Sequence, residues 1–276
     1  MYPRPWPRPP TSLFPPIRLP QPRWLYRFIR WLLLALMISY LWGAAIWPRR
    51  YVFPGLFGEA VFSVQTAEPL IALTFDDGPN PDYTPQILDI LATHGVKATF
   101  FMVGRAMVTH PEVAAQVMQQ GHEIGNHTWH HYSLNYLGPR AIRWELEATD
   151  DLIRQLGYGA DIPFRSPYGH NLLFLPWVLN AMHRANVLWS IDPLDWDAKS
   201  AAEVMARLDG HLHPGGILLL HDGDATPNGL VYGTRAPTVE AVEQILTTYS
   251  AQGYRFVTLS ELRAVGPRAL WGQAPR

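Results

Sequence analysis

The chain has 276 residues and no cysteine, which excludes disulfide bonds and any metal site built on thiolates. Its net charge of −1 hides an asymmetry: residues 1–30 carry six arginines and no acidic residue, whereas residues 69–276 carry 14 basic and 21 acidic residues. Phosphate contacts dominate nucleic-acid binding, so a body this acidic is not expected to bind nucleic acid. The length predicts one domain of roughly 200 residues with additional elements.

The N-terminal segment predicts targeting to a membrane. Nine prolines within residues 1–22 exclude regular structure, so residues 1–23 are expected to form a disordered arm. The uncharged run 31–47, with six arginines before it and two after it, predicts a single-pass anchor over 24–47 and a cytoplasmic N-terminus. A cleaved signal peptide and a buried core helix are the alternatives. An anchor and a signal peptide would both place the remaining chain outside the cytoplasm.

Beyond the anchor, the pattern predicts a linker over 48–68, one domain over 69–265 and a flexible tail over 266–276. Within the domain, strands and helices alternate, which predicts parallel strands in a barrel or a doubly wound sheet. In either architecture the site lies at the carboxyl ends of the strands. The expected strands are 70–75, 97–103, 187–191, 216–220 and 255–259, and the expected helices are 84–95, 111–120, 140–156 and 236–252.

Two acidic residues, Asp76 and Asp77, directly follow the strand 70–75. Adjacent carboxylates disfavour each other's ionisation, and a cation relieves that conflict. Consecutive residues point in different directions, so one carboxylate could bind a metal while the other transfers protons. The same run, D-D-G-P, is also typical of an ordinary turn.

Two histidines, His127 and His131, are four residues apart. If the segment is helical, both imidazoles lie on one face and could bind one zinc ion. A polar loop that happens to be rich in histidine is the alternative. Position 128 is a threonine and supplies no carboxylate base, so an external base is needed. Two histidines and one carboxylate form a known catalytic zinc set with an open position for water.

A tight turn at residues 165–169 contains Arg165 and Tyr168. Arg165 could bind a carboxylate in a bidentate manner and keep it ionised, and the turn could direct the backbone N–H of Tyr168 at an oxyanion. An ordinary turn with a surface arginine is the alternative.

A histidine, His221, follows the strand 216–220, where it is well placed as a general acid. Asp192, Asp195 and Trp196 follow the strand 187–191 and could orient this histidine and form the wall of a small pocket. A structural histidine and a solvated loop with a packed tryptophan are the corresponding alternatives.

Taken together, these motifs resemble the polysaccharide deacetylases of the NodB-homology type, carbohydrate esterase family 4. The resemblance covers roughly residues 68–262 and implies a distorted (β/α) barrel of fewer than eight regular units. It also implies a divalent metal, usually zinc and alternatively cobalt or nickel, and hydrolysis of N-acetyl groups on amino sugars. The motifs, in the family order, are T-F-D-D-G-P (74–79), H-T-x-x-H (127–131), R-x-P-Y-G (165–169), D-x-x-D-W (192–196) and L-x-L-H (218–221).

The resemblance also implies a role for each motif residue. Asp77, His127 and His131 would bind the metal, Asp76 would be the general base for the attacking water, and His221 would protonate the departing amine. Arg165 would keep Asp76 ionised, and the N–H of Tyr168 would hold the oxyanion together with the metal. Asp192 would tune His221, with Asp195 as the alternative. Leu220 and Trp196 would hold the acetyl methyl.

The resulting functional prediction is a monomeric, membrane-anchored deacetylase with its catalytic domain outside the cytoplasm. Its partners would be the membrane and a polysaccharide: peptidoglycan, another envelope glycan or chitin-like oligomers. A catalytically silent glycan-binding protein and an enzyme acting on non-sugar C–N bonds are the alternatives. One departure from the family pattern is Tyr132, which stands where the family often has proline.

Overall fold

The computed structural model describes residues 23–46, 59–224 and 233–266. The chain divides into two compact units, Met1–Val52 and Phe53–Arg276. The expected arm, up to residue 22, lies outside the described residues, as do the first part of the linker and the tail from residue 267.

The first unit contains one long helix, α1 (Arg23–Ile46), close to the predicted bounds. Its described apolar side chains, Trp24, Leu33 and Leu36 among them, are exposed. Among the described residues, no helix combines the length and the apolar character needed to cross a membrane. The helix itself is therefore confirmed, and the prediction that it spans a membrane is not supported.

The second unit is an α/β domain in which strands and helices alternate. Its strands are β1 (Ala60–Val61), β2 (Leu70–Asp76), β3 (Thr99–Met102), β4 (Glu123–Asn126), β5 (Asn186–Val187), β6 (Gly216–His221) and β7 (Arg255–Val257). Its helices are α2 (Thr84–His94), α3 (Gly104–Thr109), α4 (Pro111–Gln119), α5 (Pro139–Gln155), α6 (Phe174–Ala181), α7 (Ala201–Leu208), α8 (Ala236–Ala251) and α9 (Leu259–Val265).

The strands form a parallel sheet that closes on itself. The strand order is β4-β3-β2-β6. On the edge of β2 opposite β6, the first half of β2 pairs with β7 and the second half pairs with β3. Parallel bridges at Phe164 connect β4 to β5, and Ile191, a few residues after β5, bridges to β6. The circuit therefore returns to its starting strand, which confirms the predicted distorted barrel.

Burial of the strands on both faces explains why their sequences are continuous apolar runs. Every residue of β2 is buried, as expected for a parallel strand covered on both faces. Phe75 and Phe100 stack with their ring centroids 5.0 Å apart on neighbouring strands. Because all paired strands run in the same direction, Asp76, Asn126 and His221 end their strands at one rim of the barrel.

Several predicted bounds were wrong. Thr84 is the first residue of α2, as expected, and its hydroxyl accepts a hydrogen bond from the N–H of Asn80. The helix expected over 84–95 ends at His94, and Gly95 caps it with φ of 64°. The strand expected over 255–259 ends at Val257, because Thr258 caps α9 through a capping box with Glu261.

Candidate metal centre and active site

The two adjacent acidic residues, Asp76 and Asp77, point to different partners, as the sequence predicts. Asp76 ends β2, and its Oδ1 accepts a hydrogen bond of 2.7 Å from Nη1 of Arg165. Asp77 has φ of 75°, and this left-handed backbone turns its carboxylate toward two histidines. Its Oδ1 lies 3.0 Å from Nε2 of His131 and 3.4 Å from Nε2 of His127.

The segment 127–131 is a loop, the alternative to a helix that the sequence left open, and it brings both imidazoles together. Thr128 and His131 have φ of 68° and 62°, which brings His131 back toward His127. The two imidazole centroids lie 5.0 Å apart. The Nδ1–H of His127 donates to the backbone oxygen of Arg165 at 2.8 Å, which leaves Nε2 as its ligand atom.

The donor set fits a metal ion. One ligand atom from each of Asp77, His127 and His131 lies within 4.8 Å of the others. Oδ1 of Asp77 is buried without a geometrically acceptable hydrogen bond, as is Nδ1 of His131. Two neutral imidazoles and one carboxylate are ligands typical of a catalytic zinc site. The three residues are therefore able to hold a divalent cation.

The electrostatics of these groups favour the charged form of Asp77. Burial raises the pKa of Asp77, but His131 and His127 outweigh burial and hold that pKa well below its usual value. Burial lowers the pKa of His127, and the carboxylates of Asp76 and Asp77 outweigh it, so the net shift is upward. A carboxylate that stays ionised in a buried site is a suitable ligand for a cation.

Arg165 is fully buried, not at the surface. The sequence predicts a bidentate pair, but only Nη1 reaches Asp76, and the other donors have different partners. Nη1 also donates to Thr74, Nε donates to the backbone oxygen of Val187, and Nη2 donates to that of Leu188. Because its donors are held from several directions, Arg165 holds Asp76 in one orientation.

His221 pairs with Asp195. Its Nδ1–H donates to Oδ1 of Asp195 at 2.7 Å, and its backbone N–H donates to Oδ2 at 2.9 Å. Thr238 donates a further hydrogen bond to Oδ2 of Asp195 at 2.8 Å. Burial lowers the pKa of His221, but Asp195 outweighs burial and raises it to about 9. This shift favours the protonated form of His221, which is the form that a general acid needs.

Asp195, which the sequence left as the alternative to Asp192, is the aspartate in hydrogen-bond contact with His221. The carboxylate of Asp192 instead accepts hydrogen bonds from Nε1 of Trp189 and from the N–H of Leu194. These bonds bind Asp192 to its own loop, while the 3₁₀ turn that begins at Asp195 carries the second acid to the end of β6.

Of the residues predicted to contact the substrate, Tyr168 and Trp196 are exposed and Leu220 is buried. Tyr168 has φ of 60° in its turn, is 54% exposed, and places its ring edge on His131 with 4.8 Å between centroids. Trp196 is exposed and could contact a substrate. Leu220 has no exposed surface and packs in the core, so its predicted contact with an acetyl methyl was wrong.

Two buried acidic residues support the site and were missed in the sequence. Glu145 of α5 accepts hydrogen bonds from the N–H groups of Trp129 and His130 and from the imidazole of His130, which holds the loop 127–131 in place. Asp222 accepts a hydrogen bond from Thr84, and burial raises its pKa to about 7. Neither residue belongs to a motif identified in the sequence analysis, and no local sequence pattern marks either of them.

The fold and the site are those of an α/β enzyme with a parallel sheet and a candidate Asp-His-His metal site at one rim. A family model described as polysaccharide deacetylase matches residues 63–186. The chain is 33% identical over 222 residues to a peptidoglycan-N-acetylglucosamine deacetylase of Bacillus cereus, covering 80% of this chain and 75% of the relative. The chain therefore belongs to the polysaccharide deacetylase family, the NodB-type carbohydrate esterase family 4.

Two further comparisons agree. A chitooligosaccharide deacetylase of Azorhizobium caulinodans is 34% identical over 203 residues, covering 72% of this chain and 96% of the relative. The crystal structure of a peptidoglycan N-acetylglucosamine deacetylase superposes with a TM-score of 0.68 at 32% identity, covering 77% of this chain and 96% of that chain. The enzyme class predicted from the motifs is confirmed.

Proposed function

We propose that this enzyme removes N-acetyl groups from an amino-sugar polysaccharide, with zinc at Asp77, His127 and His131. The observation that carries the proposal is the pairing of a base and an acid beside that centre. Asp76 and His221 are register partners at the ends of β2 and β6, and neighbouring strands lie about 4.8 Å apart. Oδ2 of Asp76 is 3.7 Å from Nε2 of His127. The names of the relatives, which act on peptidoglycan and on chitooligosaccharides, support the substrate class.

A bound divalent cation would supply Lewis acidity, which favours ionisation of water and stabilises negative charge on a carbonyl oxygen. Asp76 accepts a proton from the attacking water through Oδ2, since its Oδ1 is bonded to Arg165. The water oxygen bonds to the acetamide carbon, and the backbone N–H of Tyr168 would donate a hydrogen bond to the developing oxyanion. Each of these groups is held by the fold before the substrate arrives.

Collapse of the tetrahedral intermediate breaks the C–N bond. His221 donates its Nε2 proton to the departing nitrogen, because an amine leaves poorly unless it is protonated. The products are acetic acid and the free amine. The proton on Asp76 then moves to His221 and restores both residues. The proton of acetic acid moves to the amine and forms the ammonium group, so the reaction balances. The contact between Nδ1 of His221 and Asp195 keeps Nε2 available for this transfer.

Acetate release tests the proposal. The full chain, loaded with zinc, is expected to release acetate from N-acetylglucosamine oligomers, and a chelator should abolish that release. Asp76→Asn should lose turnover while still binding zinc, because Asp76 is not among the ligands. Binding of oligomers with no acetate release would favour a silent glycan-binding protein instead. Activity retained by Asp76→Asn would refute the assignment of the base.

We also propose that the domain acts outside the cytoplasm, attached to the cell membrane through its N-terminal segment. The apolar run 31–47 and the arginines that precede it support this location, and peptidoglycan, the substrate named for one relative, is an envelope polymer. Protease added to intact spheroplasts should cleave the domain of the full chain while a cytoplasmic marker remains intact. Protection of the domain until lysis would contradict this location.

A further inference from the structure

Helix α6 is apolar on two faces, and the domain covers only one of them. Leu175, Val178 and Leu179 lie on the same face and are buried in one of the hydrophobic clusters of the domain. Phe174 and Trp177, which are one turn apart on another face, are 49% and 62% exposed. A helix that is apolar on more than its core-facing side normally lies within a core or in contact with lipid.

The segment that leads into α6 extends this exposed face. Leu172 and Leu173 are also exposed, although leucine is among the residues most often buried. Leu173 has φ of 57°, a left-handed backbone that is unfavourable for leucine and that proteins retain mainly where it serves a site. We call Leu172, Leu173, Phe174 and Trp177 the apolar patch. A contiguous exposed patch of this kind marks a surface that contacts another apolar surface.

The charge of this part of the chain is suited to a lipid surface. Residues 162–191, which include the apolar patch, contain no Asp or Glu, whereas residues 69–276 as a whole carry 21 acidic residues. Anionic lipids would repel a carboxylate beside the patch. Tryptophan, phenylalanine and leucine are also the side chains by which helices lie in a membrane interface. Composition and charge therefore favour lipid as the occupant of the patch.

The chain itself would keep the domain close to such a surface. Helix α1 ends at Ile46, and the described part of the second unit begins at Glu59. The residues between them can span at most about 45 Å. When the N-terminal segment is attached to a membrane, a second contact made by the domain is intramolecular, so even a weak contact forms.

We propose that the apolar patch docks the domain on the lipid surface to which the chain is attached. Phe174 and Trp177 would lie between the headgroups and the first acyl carbons, while the other face of α6 stays packed on the domain. This inference rests on the proposed attachment to the cell membrane. The turn that contains Tyr168 ends three residues before the patch, so docking would direct the active site to glycan close to the bilayer.

Nitroxide labels on single cysteines test the docking, because the chain has no cysteine of its own. Trp177→Cys and Val108→Cys, each in the full chain, are labelled and mixed with vesicles of phosphatidylglycerol and phosphatidylethanolamine. Val108 is the matched control, because it is also an exposed apolar residue, at 56%, but lies on α3. Flotation measures attachment to the vesicles, and collision rates with oxygen and with a nickel chelate measure the depth of each label.

The expected result is a label at position 177 about 5–10 Å below the headgroups and a label at position 108 in water. If the protein floats with the vesicles but both labels stay in water, or both move equally, the docking is refuted and the attachment stands. Protein that does not float refutes both. Shielding of the label at position 177 without vesicles would assign the patch to a second copy of the chain, and that too would overturn the docking.

A second variant separates docking from folding and from catalysis. A label on Phe174→Cys should reach the same depth, and adding Trp177→Glu should return it to water. Without vesicles, Trp177→Glu should release acetate from the N-acetylglucosamine hexamer at the wild-type rate; a loss there would assign the patch to the substrate and overturn the docking. The depth measurement needs no catalysis, so a wild type that released no acetate would refute the proposed function alone.

Discussion

The pair formed by His221 and Asp195 gives the sharpest test of the proposed acid. The pKa of His221 rises from 6.5 to about 9 against burial, and Asp195 contributes more to this rise than Asp77 and Asp76 do. A change of this size corresponds to roughly 3 kcal/mol in favour of the imidazolium form. In Asp195→Asn the charge disappears while the burial remains, so the pKa of His221 should return to its usual value or fall below it.

The consequence for catalysis can be calculated. At about pH 7.5, a histidine with a pKa near 9 is almost fully protonated, whereas one with a pKa near 6.5 is only about one-tenth protonated. Asp195→Asn should therefore lower kcat/KM for acetate release about tenfold at this pH, and it should move the alkaline limb of the pH profile to lower pH. A bound cation would lower the pKa of His221 in both proteins, so the difference between them is the test.

The measurement is the pH dependence of kcat/KM for the wild type, Asp195→Asn and Asp192→Asn. Asp192→Asn is the matched control, because Asp192 lies in the same loop but makes no hydrogen bond to His221 in the described structure. An alkaline limb that stays in place in Asp195→Asn, or that moves equally in Asp192→Asn, would refute the pairing.

Three further predictions concern stability and metal binding. Arg165→Met leaves Asp76 buried without its cation, so urea denaturation should show a loss of about 3–5 kcal/mol; a loss below about 1 kcal/mol would contradict the buried ion pair. Glu145→Ala releases the loop 127–131 and should weaken zinc binding by about 10–100-fold in a competition titration, whereas an unchanged affinity would exclude that support. The stabilisation from protonated His221 is fully present below about pH 6.5 and is lost as pH rises through about 9. The free energy of unfolding of the metal-free wild type should therefore decline over this range, and that of Asp195→Asn should decline much less.

The sequence predicts the site as well as it does because parallel strands bring their carboxyl ends to one rim. Asp76 and His221 each directly follow a predicted apolar strand, so their strand-end positions were enough to expect them together. The strand before His127, β4, is too short and polar to be predicted from such a pattern. The closure of the barrel was expected only through the family resemblance. It depends on single-residue bridges at Phe164 and Ile191, which are too short to appear as strands in a hydrophobic pattern.

Other parts of the site depend on tertiary contacts that no local pattern encodes. The four-residue spacing of His127 and His131 suits a helix, but Glu145 of α5 binds the N–H groups of the intervening loop and stabilises a different backbone. The choice between Asp192 and Asp195 depended on how a loop folds over β6, and three residues of spacing do not specify that. Leu220 was misassigned because both faces of a strand in a closed barrel are buried.

The most direct test of the account is a zinc titration of the metal-free full chain while acetate release from the N-acetylglucosamine hexamer is followed. The account predicts no release without metal, and activity that rises in proportion to added zinc until one ion is bound per chain. Acetate release that persists without metal, or a chain that binds the hexamer but never responds to zinc, would contradict it.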